Sequence, residues 1–405
     1  MSSMRLPGQP TSGPGPTSAT CCSTPRSFSM FARYLRKKPV AAAGGGFSRR
    51  GLLERSALGF GWLAFNGLLA DRGFAGEVAL SRPTLPVRAE RVVWFFMDGG
   101  LSHIDSFDLK PLLEKENGQP LKLANKKEDI TGRTTPNVMA SPWTFRPYGR
   151  CGKMVSDLFS QIGRHVDDLA FLHAVTGPSP DHESAIGFLH SGSLLQGFPS
   201  VGAWTSYGLG SEAVNLSAES AATLAAYGIG EDRKETNSFG RYCLTARRLL
   251  ERGVRFIEIV KGGWDQHDKL ATNHAKNARA VDQPVGAFLA DLKACGLLDS
   301  TLVVFASEFG RTPNTELFGK EPGRDHHPWA FTIWMAGGGV RGGVSHGRTD
   351  EYGYHPLAGK VDIHDLHATV LHLLGIDHKQ LTYRHSGRDF RLTDVHGQLI
   401  RPIIA

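Results

Sequence analysis

Apolar residues in this chain gather into short dense runs: Val92–Met97, Leu169–Val175, Val254–Val260, Thr301–Ala306 and Phe331–Met335. The runs are rich in β-branched and aromatic residues and carry few polar positions. Runs of that kind predict strands buried on both faces. Two stretches with helical spacing, Phe239–Arg252 and Val281–Cys295, lead into the third and fourth runs. Helix–strand alternation predicts an α/β fold: a mostly parallel central sheet flanked by helices.

The first four runs each end in a polar segment. Asp98-Gly99-Gly100 comes after the first, TGPSPDHES (176–184) after the second, GGWDQHD (262–268) after the third and SEFGRTP (307–313) after the fourth. Polar side chains at the carboxyl ends of parallel strands meet in one crevice, where open α/β sheets bind ligands. GRDHHP (323–328) precedes the fifth run and adds Asp325, His326 and His327. Taken singly, each motif has an ordinary reading: Asp98-Gly99-Gly100 as a turn, Glu308 and Arg311 as an ion pair. Together, Asp98, Asp265, His267, Glu308, His326 and His327 are candidate metal ligands. Mixed carboxylate and imidazole donors suit Zn or Mn, and carboxylates alone suit Mg or Ca. Two ions would use a ligand set of this size and act on a phosphate or sulfate ester.

The chain before residue 87 reads differently. Residues 1–46 are rich in Ser, Pro, Gly and Ala without periodicity, as in a disordered tail. In residues 47–76, Arg49 and Arg50 precede an apolar run, Ala57–Ala70, too short to span a bilayer comfortably. That order predicts a twin-arginine export signal and a periplasmic or extracytoplasmic protein, with an uncleaved anchor or an amphipathic helix as alternatives. The globular domain is expected over 87–405. The net charge of +7 owes much to Arg33, Arg36, Lys37, Lys38, Arg49 and Arg50. It therefore reads as targeting, and no nucleic-acid-binding motif accompanies it. Contact with a membrane is expected only through export or the uncleaved signal. Of five cysteines, Cys151, Cys243 and Cys295 are widely spaced and no CxxC occurs. No disulfide framework is indicated, and buried or inert thiols are expected.

The ordered motifs FMDGGLSHIDSFDLKP (96–111), SPDHESAIGFLHSGS (179–193), PSVGAWTSYGLGSE (199–212), GGWDQHD, SEFGRTP and GRDHHPWAFTIWMAGGGVRGG (323–343) resemble the DUF1501 family. So do SFGRYCLTARRLLERGVRFIEI (238–259) and the segment 362–397, so the resemblance covers nearly everything after residue 87. DUF1501 is a sulfatase-like branch of the alkaline phosphatase superfamily. The resemblance implies an alkaline-phosphatase-like fold and metal-assisted ester hydrolysis. Asp98, Asp265 and His267 would ligate metal, Glu308 would stand where an Asp often serves, and His326 or His327 would complete a site. The nucleophile is expected at the start of the helix after the second strand, with Ser179 nearest and Thr176 and Ser184 as rivals. Ser179, His182 and Arg311 form the candidate catalytic set.

Two departures from the family stand out. The sulfatase signature Cys/Ser-x-Pro-x-Arg is absent, the loop reading Thr176-Gly177-Pro178-Ser179-Pro180. Asn215-Leu216-Ser217 also joins two motifs that the family usually separates by a long segment. A missing cover segment there predicts low stability, or an open site with an exposed apolar patch. The expected activity is hydrolysis of sulfate or phosphate esters, on small molecules or polysaccharide. The alternative is a catalytically silent metal- or ligand-binding homologue outside the cytoplasm.

Overall fold

The computed structural model describes residues 84–123, 134–194, 200, 219–230, 232–316, 321–385 and 388–405. The tail over 1–46, the signal segment over 47–76 and the join at Asn215–Ser217 lie outside the described residues.

The apolar runs are strands: β1 (Arg91–Phe96), β2 (Leu169–Thr176), β3 (Phe256–Val260), β4 (Thr301–Ala306) and β5 (Phe331–Ala336). Two short strands, β6 (Val344–His346) and β7 (Val361–Asp362), complete a seven-stranded sheet. The order is β6-β2-β5-β4-β1-β3, with β7 also on β2. β1 runs parallel to β3 and β4, and β2 runs parallel to β6 and β7. β5 runs antiparallel to both of its neighbours.

Alternation along β1 shows why the sheet needs cover on both faces. Val93, Phe95 and Met97 enter one core with Phe239, Cys243 and Leu244 of α2 (Lys234–Glu251). Val285, Phe288 and Leu289 of α3 (Leu270–Ala294) pack there too. Val92, Trp94 and Phe96 enter the other core with Leu189 of α1 (His182–Ser191) and Leu366 and Val370 of α4 (Ile363–Leu373). Each fully buried large apolar side chain contributes roughly 1.5–3 kcal/mol.

α3 begins eleven residues before the predicted Val281 (281 minus 270). Its first half, LATNHAKNARA, buries His274 and Asn277 beside Leu270 and Ala278, so it carries little apolar periodicity. Cys243 is buried, Cys295 half-buried and Cys151 exposed. Its thiol is nonetheless pushed up, by partial burial first and Asp167 beside it. Among the described residues no helix is long and apolar enough to cross a membrane.

Candidate functional site

The direction of β5 explains how a motif before a strand joins motifs that come after strands. His326–His327 pairs antiparallel with Gly310–Arg311, just beyond β4, and β5 then runs back through the sheet. GRDHHP thus arrives at the carboxyl ends of β1, β3 and β4. Close packing of these loops depends on Gly99, whose φ is +115°. A Cβ there would lie 2.5 Å from the Asp265 backbone nitrogen, a contact only glycine avoids.

Asp265 is the centre of the cluster, its side chain 46% exposed and so open to a ligand. Its Oδ1 lies 2.9 Å from His267 Nε2, 3.1 Å from His326 Nε2 and 3.4 Å from His182 Nε2. It also accepts a 2.8 Å hydrogen bond from the Arg311 guanidinium. Partial burial opposes ionisation. The three imidazoles and Arg311 prevail and hold this carboxyl far below the usual range.

His182 and His326 keep Nε2 inward because an acceptor holds each Nδ1. His182 Nδ1 donates to Glu308 Oε1 at 2.8 Å, and His326 Nδ1 donates to the Pro180 carbonyl at 2.6 Å. His267 Nδ1 lies 3.9 Å from Asp325 Oδ1. An acceptor behind the ring fixes the tautomer and aims the other nitrogen, as in metal-ligating histidines. Burial lowers the His326 pKa, with Arg311, His182 and His267 adding to it. In the neutral ring Nε2 lies 2.9 Å from His267 Nε2, which can donate to it, and 3.1 Å from the Asp265 oxygen. His182 Nε2 is buried and faces Asp265 Oδ1 at 3.4 Å, a charge contact without good hydrogen-bond geometry. Burial lowers its pKa, but the carboxylates of Asp265 and Glu308 outweigh this and hold it up at about 9. Two triplets, His182–Asp265–His326 and His267–Asp325–His326, place one donor atom each within 4.8 Å of the others.

The remaining candidates sit around this centre. Glu308 is buried, with Oε1 accepting from Gly99 N and His182 Nδ1 and Oε2 accepting from Ser307 Oγ. It orients His182. Asp98 lies near enough that burial and then Glu308's charge raise its pKa, with His182 opposing. Arg311 is fully buried and donates to the carbonyls of Gly99, Gly100, Trp264 and Arg324 besides Asp265. It clamps two loops together. His327 faces away from His326, with Nε2 on the Tyr354 carbonyl at 2.7 Å. Adjacent strand residues point to opposite faces.

α1 begins at His182, with Asp181 as its N-cap accepting from Ser184 N at 2.9 Å. Ser179 precedes Pro180, whose carbonyl holds His326, and Ser179 Oγ accepts from Asp181 N at 3.1 Å. Thr176 is buried and donates to the Val361 carbonyl. Asp181, Asp325 and Pro180 emerge as supporting groups. The signal for Asp181 was an Asp placed to cap the predicted helix.

Several known proteins are similar to parts of this chain. Over 145 residues the chain is 29% identical to lipoteichoic acid synthase 2 of Bacillus subtilis (strain 168), covering 34% of this chain. It spans only 20% of that relative's length. It is similar to the C-terminal periplasmic domain of EcEptC from Escherichia coli, in complex with Zn. That match is 10% identical over 72% of this chain and 86% of that one, with a TM-score of 0.35. It is also similar to the PsFucS1 sulfatase from Pseudoalteromonas sp., 14% identical over 80% and 72%, TM-score 0.26. A family model described as a protein of unknown function (DUF1501) matches residues 89–216 and 211–404, and the chain belongs to that family.

Proposed function

We propose that the protein is an exported, metal-dependent hydrolase of sulfate or phosphate esters. The observation that carries this reading is the convergence of His182, His267 and His326 Nε2 on Asp265 Oδ1, with an acceptor at the Nδ1 of His182 and of His326. The donor chemistry fits a divalent cation. His182, Asp265 and His326 would hold the ion, or His267 and Asp325 with the same His326. Sharing of His326 favours one ion over two. Imidazole-rich donors favour Zn or Mn over Mg or Ca.

A bound ion supplies Lewis-acid polarisation of the ester oxygen and a charge to match the leaving group. The chain's own residues do the rest. Glu308 keeps the His182 proton on Nδ1, and Arg311 fixes Asp265 against the Gly99-Gly100 loop. Ser179, beside the Pro180 whose carbonyl holds His326, is the candidate nucleophile. The substrate is a small-molecule or polysaccharide ester outside the cytoplasm, reached through the Arg49-Arg50 export signal. A silent metal-binding homologue is favoured instead by one observation. Arg311, the arginine among the catalytic candidates, is fully engaged with protein groups.

The test is elemental analysis of the purified full chain, followed by assay with 4-nitrophenyl phosphate and 4-nitrophenyl sulfate. Stoichiometric Zn or Mn, and turnover lost in Ser179→Ala with metal retained, is the expected result. Bound metal without turnover supports the silent homologue. Absence of metal after dialysis against Zn and Mn overturns both readings.

A further inference from the structure

A cavity of about 540 Å³ opens beside the middle of α3, away from the Asp265 cluster. Trp143, Asp157, Gln161, Arg233 and Arg279 help line it. Ligand pockets fall in this size range. The Trp143 ring packs against the buried His274 ring at 5.2 Å between centroids. His274 Nδ1 in turn lies 2.8 Å from Gln266 Oε1, and Gln266 sits between Asp265 and His267. The cavity is therefore one ring contact and one hydrogen bond from the loop that carries two of the cluster residues.

The lining has a definite chemistry. Trp143 offers a large flat apolar surface, held in place by His274. Arg279 is exposed and offers a forked donor that matches a sulfate or phosphate group. Asp157 and Gln161 offer hydroxyl partners. A wholly apolar occupant would desolvate the guanidinium and carboxylate groups without repayment. A bare inorganic anion would leave the indole and the amide unused. The ligand that uses all three kinds of group is a sugar ring bearing an anionic ester. Its apolar C–H face lies on the indole, its ester on Arg279 and its hydroxyls on Asp157 and Gln161.

We propose that this cavity is a second binding site, for a sulfated or phosphorylated sugar unit of the substrate. The proposal rests on the polysaccharide-ester reading above and extends it. A site remote from the reacting bond supplies binding energy that positions the chain at the catalytic cluster.

Calorimetric titration of the full chain with glucose 6-sulfate, glucose 6-phosphate, glucose, sodium sulfate and AMP tests it. At least one sugar ester is expected to bind roughly tenfold tighter than glucose or sulfate alone. Comparison of the two esters tells sulfate from phosphate recognition. Arg279→Ala and Trp143→Ala should each weaken that binding roughly tenfold, with Trp143→Phe restoring most of it and metal content unchanged. Equal binding of glucose and its esters, undiminished binding by Arg279→Ala, or tighter binding of AMP overturns the assignment. Asp265→Asn separates this proposal from the metal reading. It should lose metal and keep sugar binding, and loss of sugar binding there would place the sugar at the cluster and overturn the cavity site alone.

Discussion

Two Asp–Arg–His clusters lie close together in this protein, and they differ in what they leave unsatisfied. Around Asp105, every strong group has a partner. Arg324 donates to both Asp105 oxygens, at 2.7 and 3.1 Å, and to the carbonyls of Thr312, Pro313 and Met139. Ser102 adds a hydroxyl bond to the same carboxylate, and both ion-pair side chains are 0% exposed. Around Asp265 the residue types are the same, but three ring nitrogens crowd one half-open carboxylate oxygen. Both carboxyl groups are held below their usual pKa, against the effect of burial, by cationic neighbours. A low pKa therefore does not tell a structural cluster from a functional one. Unsatisfied convergence does.

The largest effect expected from this contrast is that of acid on the sealed histidines. His103 and His274 are held down at about 4, and His173 and His367 at about 3, in each case by burial first. Asp108 faces His103 and His173, and Asp105 faces His274, opposing the shifts without cancelling them. Folded pKa values below the unfolded value of about 6.5 mean stability that is fully present above pH 6.5 and lost as pH falls toward 4. Four groups at about 1.4 kcal/mol per pH unit each give a loss of roughly 5–8 kcal/mol by pH 5. That rivals a whole domain's stability of about 5–15 kcal/mol. Circular dichroism should show cooperative unfolding between about pH 5 and 4. A fold unchanged at pH 4 would show that these rings are not sealed.

The next effect separates the clusters directly. Arg324→Met leaves a buried carboxylate unpaired and should cost about 3–5 kcal/mol in urea denaturation. Asp265→Asn removes a charge from a half-exposed site and should cost under about 1 kcal/mol while abolishing metal binding. The reverse order of stability losses would erase the distinction drawn between the two regions.

Much of this arrangement was legible in the sequence. β4 occupies Thr301–Ala306 as predicted, and β1, β2 and β5 match within a residue, because strands covered on both faces leave dense apolar runs. Asp265, His267 and Glu308 were named because they follow such runs, and the structure brings them around one cluster with His182. Strand direction was not legible, since antiparallel β5 carries the same apolar run as its parallel neighbours. Pleat implies that His326 and His327 face opposite ways, but which of them meets the cluster is set by their pairing with Gly310–Arg311. The division of labour between Glu308 and His182 was not. It depends on which nitrogen of a ring faces a carboxylate 126 residues away.

That division supplies a smaller prediction. Glu308→Gln keeps the shape behind His182 but weakens the acceptor for Nδ1. Loss of such a partner typically costs 10–100-fold in metal affinity. Competition with a chelator should show a decrease in that range, with the His182 ring still in place. A Glu308→Gln protein with unchanged affinity would mean that His182 is not a ligand.

The smallest effect compares two helix caps. Asp181 caps α1 through Ser184 N, and Asp362 caps α4 through His364 N in a reciprocal capping box with Asp365. Replacing either cap by Ala should cost about 1 kcal/mol of stability. The consequences for the site should differ. α1 begins with His182 itself, so a frayed first turn spreads the positions of a ring that must meet Asp265. α4 begins with Ile363, buried in the core beneath one face of the sheet, and its cap touches no cluster residue among those described. Asp181→Ala should therefore lower metal affinity a few-fold, at equal stability cost, where Asp362→Ala leaves it unchanged. Equal metal affinities in two variants of matched stability would show that the cluster is held by Glu308 and Pro180 alone, and that the helix start contributes nothing to its geometry.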